Sequence, residues 1–188
     1  MAISLRLAAP PTDQEILDLS RRNPGLQIEQ APSGELVLTP TGAESGRREV
    51  VLVAQLYQWA RADGRGEVFG SSTGFRLPDG SLRSPDASWV RRERWEALSA
   101  AQREGFAPLC PDAVFEIRSR IDALRDLRAK MQAYLANGAR LAVLLDPERR
   151  AVEVHEPDQD VRVAEPAGPV SLEPILPGFA LDPAPIFS

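Results

Sequence analysis

The chain has 188 residues and 43% hydrophobic content, which gives room for one well-packed domain and little besides. One cysteine, Cys110, and one histidine, His155, exclude an internal disulfide framework, a Cys/His zinc site and most histidine-based triads. A net charge of -5 with a pI near 5.1 repels a polyanion, so any nucleic-acid contact must come from local arginine clusters. No signal-peptide core precedes Pro11, and no apolar run approaches the ~20 residues of a spanning helix, so the chain reads as cytoplasmic.

Thr12 followed by Glu15 has the form of a capping box and predicts a short helix to about Arg22. Asn23-Pro24-Gly25 breaks it, and the runs 26–29 and 35–39 flank a turn at 31–34, an N-terminal hairpin. From about Ser45 to Ala62, Val50, Leu52, Val53, Leu56, Tyr57 and Ala60 recur near helical period. Two short strands, 67–69 and 74–77, joined by 70–73, are expected next, then a turn at Pro78-Asp79-Gly80.

The segment 84–90 reads as a strand entered through Pro85 and 111–116 as one entered through Pro111, since a central strand tolerates proline only at its start. Between them a polar helix over 91–99 and a loop to Pro111 are expected. A strong helix over 120–137 carries Ile121, Leu124, Leu127, Met131, Tyr134 and Leu135 on one stripe and stops at Gly138. The apolar run 141–145 suits a strand covered on both faces. The segment 151–155 alternates, as a strand with one wet face would, with His155 exposed; 161–164 adds an edge, and a proline-rich strap runs over 165–188.

These elements predict a mixed sheet flanked by helices, in the α/β or α+β class, with a core over about 42–156 and the helix and hairpin of 12–40 added to it. A βαβ unit over the Glu116 strand, the following helix and the 141–145 strand puts Glu116 at a strand end.

Asp86 and Glu116 are the most informative pair, two acids 30 residues apart, each carried by a strand. Carboxylate oxygens suit Mg²⁺ or Mn²⁺, and Mg²⁺ takes one or two of them, leaving other positions to water and substrate phosphate. A lone Pro-Asp, by contrast, is most often a turn.

Ser72-Thr73-Gly74-Phe75-Arg76-Leu77, Ser84 to Val90, Cys110 to Ser119, Lys130-Met131-Gln132-Ala133-Tyr134, Leu144-Leu145-Asp146-Pro147 and Leu176-Pro177-Gly178-Phe179 resemble, in order, the blocks of the Uma family of putative restriction endonucleases. That resemblance implies the restriction-endonuclease-like fold of the PD-(D/E)xK nucleases, Mg²⁺ or Mn²⁺ as cofactor, DNA as substrate, and a homodimer. It also implies that Asp86 and Glu116 bind metal, with the Ile117 carbonyl a further ligand. The lysine expected two residues after the second acid is Arg118 here, which binds phosphate but cannot act as a base at neutral pH. Lys130 on the next helix, followed four residues later by Tyr134, matches a recurring family block and is the substitute; otherwise it is a solvated helix lysine.

Alternation along a strand puts Arg118 on the face of Glu116, as a phosphate contact or as an ion-pair partner of Glu116 or Asp86. Glu49 is the preferred third acid, ahead of Glu44 and Glu67, although a glutamate in a first helical turn also serves the helix dipole. Ser119 suits a helix cap or a phosphate contact, Asp122 suits capping, and Arg91, Arg92, Arg94 and Trp95 suit either a solvated helix or a nucleic-acid backbone. Trp59 and Trp89 suit the core. A metal-dependent DNA endonuclease is the leading expectation, and a catalytically degenerate nuclease-fold module that binds nucleic acid or protein is the alternative.

Overall fold

The computed structural model describes residues 3–165 and 167–188. Its first half runs β1 (Ile3–Leu5), α1 (Asp13–Arg22), β2 (Leu26–Gln30), β3 (Leu36–Pro40), α2 (Ala43–Asp63), β4 (Gly66–Gly70), β5 (Phe75–Arg76) and β6 (Leu82–Arg83). Then follow β7 (Ala87–Arg91), α3 (Arg92–Glu96), α4 (Ala100–Glu104), β8 (Ala113–Ile117), α5 (Leu124–Ala136), β9 (Leu141–Asp146) and β10 (Ala151–His155). The chain closes with β11 (Arg162–Ala164), β12 (Val170–Ser171), β13 (Ala180–Leu181) and α6 (Ala184–Phe187). Among the described residues no helix is long and apolar enough to cross a membrane.

Two main sheets result. The N-terminal one is antiparallel in the order β1-β3-β2-β6-β5. α1 starts at a complete capping box on Thr12 and Glu15 and sets Ile16 into a small core with Ile28, Leu36, Leu38 and Leu82. The larger sheet has the order β11-β10-β9-β8-β7-β4 and is mixed, because β8 and β9 run parallel across α5 while the other neighbours are antiparallel. The expected βαβ unit is therefore present, and Gly138 takes φ 101 just past the end of α5, a left-handed turn that glycine adopts without a Cβ penalty.

The larger sheet is covered on both faces. Leu52, Leu56 and Ala60 of α2 meet one face together with Leu172, Leu176, Phe179, Leu181 and Ile186 of the tail. Met131 and Tyr134 of α5 meet the other with Val90, Val114 and Leu144. β6 runs through Ser84-Pro85-Asp86 directly into β7, so one short segment leaves the first sheet and enters the second.

Several expectations change. β4 and β5, the two strands expected around 70–73, belong to different sheets, because Gly70 to Gly74 crosses between layers. Val50 and Tyr57 of α2 and Ile121 are exposed, and the buried stripe of α2 is narrower than its apolar spacing. α5 begins at Leu124, since Asp122 folds the preceding turn by accepting from the Ser119 amide at 2.9 Å and hydroxyl at 2.6 Å. α4 occupies part of the segment expected as loop, opened by a Ser99/Gln102 capping box. The tail contains a two-stranded pair and a short helix.

The largest correction concerns β10, which has no wet face. Glu153 is 0% and His155 2% exposed, because α5 lays Arg128 over Glu153 at 2.6 Å and Gln132 beside His155 Nδ1 at 3.4 Å. The hydrogen bond from Arg128 holds the Glu153 carboxyl below its usual range, and burial holds the His155 imidazole below its own. For both groups the unfolded chain binds more protons in the affected window, so stability rises with pH there. The stabilisation is complete above the free histidine value of about 6.5 and is lost as pH falls through His155 and then Glu153. Urea midpoints should drop from about pH 7.5 to about pH 5.5 in the wild type and much less in His155→Gln. An equal drop in both proteins would remove His155 as the cause.

Candidate functional site

The antiparallel register of β7 and β8 pairs Ala87 with Phe115, and one step further along the same register Asp86 stands across from Glu116. Directly opposed residues have Cβ atoms about 5 Å apart, so the pairing alone brings the two carboxylates together. Asp86 is half-buried and its Oδ2 accepts from the Ile117 amide at 2.6 Å. Glu116 is 5% exposed, and its Oε1 accepts from the Tyr134 hydroxyl at 2.8 Å and lies 2.8 Å from Lys130 Nζ.

The spacing of Lys130 and Tyr134 puts both on one face of α5, one turn apart, and that face lies against the end of β8. The resemblance had singled out this pair, and the structure brings both to Glu116. A signal in composition reinforces Lys130: of the 22 lysines and arginines, it is the single lysine.

Glu29, which none of the sequence arguments selected, completes the cluster. It is 8% exposed on β2, its Oε1 accepts from the Ser84 amide at 2.9 Å and from Lys130 Nζ at 3.0 Å, and its Oε2 meets Arg83 at 3.5 Å. The alternation Ile28-Glu29-Gln30 gave no hint, because a glutamate in a hairpin strand ordinarily marks the wet face.

Protonation follows from burial and neighbours. Burial first, and then the charge of Glu116, pushes the Asp86 carboxyl well above its ordinary value, with Glu49 adding to the rise. Burial also raises Glu116, against the pull of Lys130. Glu29 goes the other way, because Lys130, Arg83 and the Ser84 amide outweigh its burial. For Lys130 burial alone would favour the neutral amine, but Glu116 and Glu29 overcome it and hold the ammonium above its ordinary value. Lys130 is thus a fixed cation.

Two cavities flank the cluster. One of about 230 Å³ lies between α1, β2, α2 and the link from β4 to β5, lined by Gln27, Glu49, Ser71 and Ser84 among others. An open groove of about 720 Å³ runs beside α5 and is lined by Arg83, Leu127, Lys130 and Ala133.

Other expected residues stand elsewhere. Arg118 does not pair with either acid: its guanidinium meets Asp146 at 2.9 Å and Glu148 at 3.4 Å, since β8 has ended at Ile117 and strand alternation no longer aims the side chain. Glu49 is within electrostatic reach of Asp86, but its carboxylate accepts from Ser71 at 2.7 Å. Among the described residues no three Asp, Glu, His or Cys side chains form a group able to hold a metal, so Glu49 does not complete a three-acid set. Glu44 pairs with Arg47 and Arg48, and Glu67 with Arg92. Arg91 and Arg94 converge on buried Asp112 at 3.1 and 2.9 Å, which spends their charge internally. Cys110 is buried and its thiol is pushed up to about 12 by that burial, far from a nucleophilic thiolate at neutral pH. Trp59 packs against the buried Trp89 with tilted rings, their centroids 5.6 Å apart.

The donor set nevertheless fits a divalent cation. Two hard carboxylates that repel each other, with a raised pKa on both, are what such an ion stabilises, and Mg²⁺ needs no more than one or two from the protein.

A mixed sheet flanked by helices, with one acid just before β7 and another near the end of β8 beside a helical lysine, has the architecture of the restriction-endonuclease-like class. The family model described as "Uma2: Putative restriction endonuclease" matches residues 13–184, and the chain belongs to that family. Among solved structures it is similar to a putative nuclease of DUF820 from Anabaena variabilis ATCC 29413, at TM-score 0.74 and 18% identity, covering 95% of this chain and 98% of that one. That likeness extends to the fold. No curated protein matches the sequence.

The Tyr134 hydroxyl is buried and donates to a carboxylate, a hydrogen bond of the stronger kind. Tyr134→Phe should cost about 2 kcal/mol in urea unfolding. An unchanged midpoint would mean that Lys130 alone satisfies Glu116.

Proposed function

We propose that the protein is a metal-dependent endonuclease that hydrolyses DNA phosphodiester bonds, with Asp86 and Glu116 as ligands of Mg²⁺ or Mn²⁺. The supporting observation is a permanently charged lysine 2.8 Å from the second of two opposed, half-buried or buried acids. A divalent cation held there would polarise the scissile phosphate and lower the pKa of attacking water.

The chain's own residues do the rest. Asp86 is oriented by the Ile117 amide and Glu116 by Tyr134, so neither acid is free to rotate away. The Ile117 carbonyl, one residue past Glu116, would be a further ligand. Lys130 keeps its proton and therefore stabilises charge developing on the phosphoryl oxygens instead of abstracting a proton from water. It takes the place of the lysine that the motif expects where Arg118 stands. Arg118, held by Asp146 and Glu148, braces the β8 end from behind.

The same reading makes the chain a single catalytic domain working in the cytoplasm, where Cys110 stays a thiol. One site per chain would then require a homodimer to cut both strands of a duplex. The alternative, a nuclease-fold module without catalysis, draws on the acidic net charge and on Arg118 in the usual lysine place.

Purified protein should cleave plasmid or linear DNA with added Mg²⁺ or Mn²⁺. Asp86→Ala and Glu116→Ala, checked for folding by circular dichroism, should each lose about a thousandfold or more, because about 4 kcal/mol of transition-state stabilisation corresponds to three decades in rate. Equal cleavage by all three proteins would sink the assignment. Calorimetry with Mn²⁺ separates the two readings: heat of binding that vanishes in Glu116→Ala supports the enzyme, and no binding at millimolar metal supports the module.

A further inference from the structure

Glu29 belongs to the N-terminal sheet, yet it shares its lysine with the acid at the end of β8. Lys130 Nζ stands 3.0 Å from Glu29 Oε1 and 2.8 Å from Glu116 Oε1. Arg83, Glu29, Lys130 and Glu116 thus alternate in sign along a chain of contacts between the two sheets. A buried carboxylate is costly unless it is paired and hydrogen-bonded, and every partner of Glu29 is a group of the site or of the segment entering it.

The two anchors of Lys130 are not equivalent. If a divalent cation occupies Glu116, that carboxylate is shared with a competing positive charge, and two cations a few ångströms apart in a buried setting repel strongly. The ammonium then has somewhere to go, because Lys130 itself lines the open groove along α5. Glu29 is the contact that remains, since it is tied to the segment following β6 through the Ser84 amide.

We propose that Glu29 is a positioning residue that holds the Lys130 ammonium at the site when Glu116 is engaged by a divalent cation. This rests on the metal reading above. It makes the N-terminal sheet a working part of the site, because β2 supplies the anchor. Without Glu29, metal and lysine exclude one another at Glu116; with it, both are present when phosphate arrives.

The single lysine makes the test direct. Protein labelled with ¹⁵N-lysine has one side-chain ammonium resonance, which is visible only while its protons are held in hydrogen bonds. On titration with Mg²⁺ the wild-type signal should shift and persist. In Glu29→Gln, which keeps the shape and one acceptor oxygen for the Ser84 amide but loses the charge that holds Lys130, the signal should be lost as Mg²⁺ is added. Cleavage by this variant should fall about 10- to 100-fold in kcat, the range for residues that orient a metal site from behind, with KM for DNA unchanged.

A Glu29→Gln signal that survives Mg²⁺ as in the wild type overturns this inference alone. A wild-type signal indifferent to Mg²⁺ overturns the metal reading and this inference with it. If Glu29→Gln fails to fold, the double variant Glu29→Gln/Lys130→Met decides. Recovered folding supports the pair, because removing both charges leaves none unpaired; a double variant as unstable as the single makes Glu29 a structural residue and overturns its positioning role.

Discussion

Two carboxylates face one another where β7 begins and β8 ends, one half-buried and one buried, and the rest of the structure is arranged around that repulsion. Asp86 and Glu116 both have raised pKa values from burial; the charge of Glu116 makes Asp86 harder to ionise still, and that of Glu29 does the same to Glu116. A fold does not hold such a pair without compensation. Here the compensation comes from the Ile117 amide on the strand and from the Lys130 ammonium and Tyr134 hydroxyl on α5, while Glu29 on the second sheet, itself met by Arg83, shares that ammonium.

The position of the pair follows from topology. β6 and β7 are consecutive but belong to different sheets, and Asp86 falls in the short link between them, preceded by Pro85, which keeps that link out of either ladder. Glu116 lies one residue before the end of β8, where the chain turns toward α5 and the crossover brings the helix back over it. The parallel β8–β9 step requires that crossover, and the crossover delivers Lys130. A hairpin in its place would have left Glu116 without a cation.

How far this was legible in the sequence depended on whether the information was local. The capping box at Thr12, the hairpin, the apolar run of β9 and the glycine stop after α5 are short-range signals, and the structure follows them. Asp86, Glu116 and Lys130 were recoverable because ordered blocks surround them, and the lone lysine among 22 basic residues was a further sign that composition offered. Glu29 was not legible, because its burial comes from β6 and α5, which are distant in sequence. The same cause hid β10: its alternation suggested a wet face, but Arg128 and Gln132 cover Glu153 and His155 from a helix whose register no local pattern reports. Arg118 was misdirected by strand periodicity carried one residue beyond the strand's end.

The substitution of arginine for the lysine of the motif becomes intelligible on this geometry. At the place of Arg118 a cation is needed to satisfy Asp146, which is 0% exposed and is met from two sides, by Arg118 and by Arg149. A planar, permanently charged group serves that task, and its Nε also donates to the Asp122 carbonyl at 3.1 Å. A compact ammonium could not make both contacts. With that position committed to bracing the strand end, the charge facing the acids has to come from another element, and α5 supplies it from across the crossover. The motif's cation is therefore divided between two residues, one holding the scaffold and one facing the site, and it is the second whose environment, between Glu29 and Glu116, keeps it positively charged.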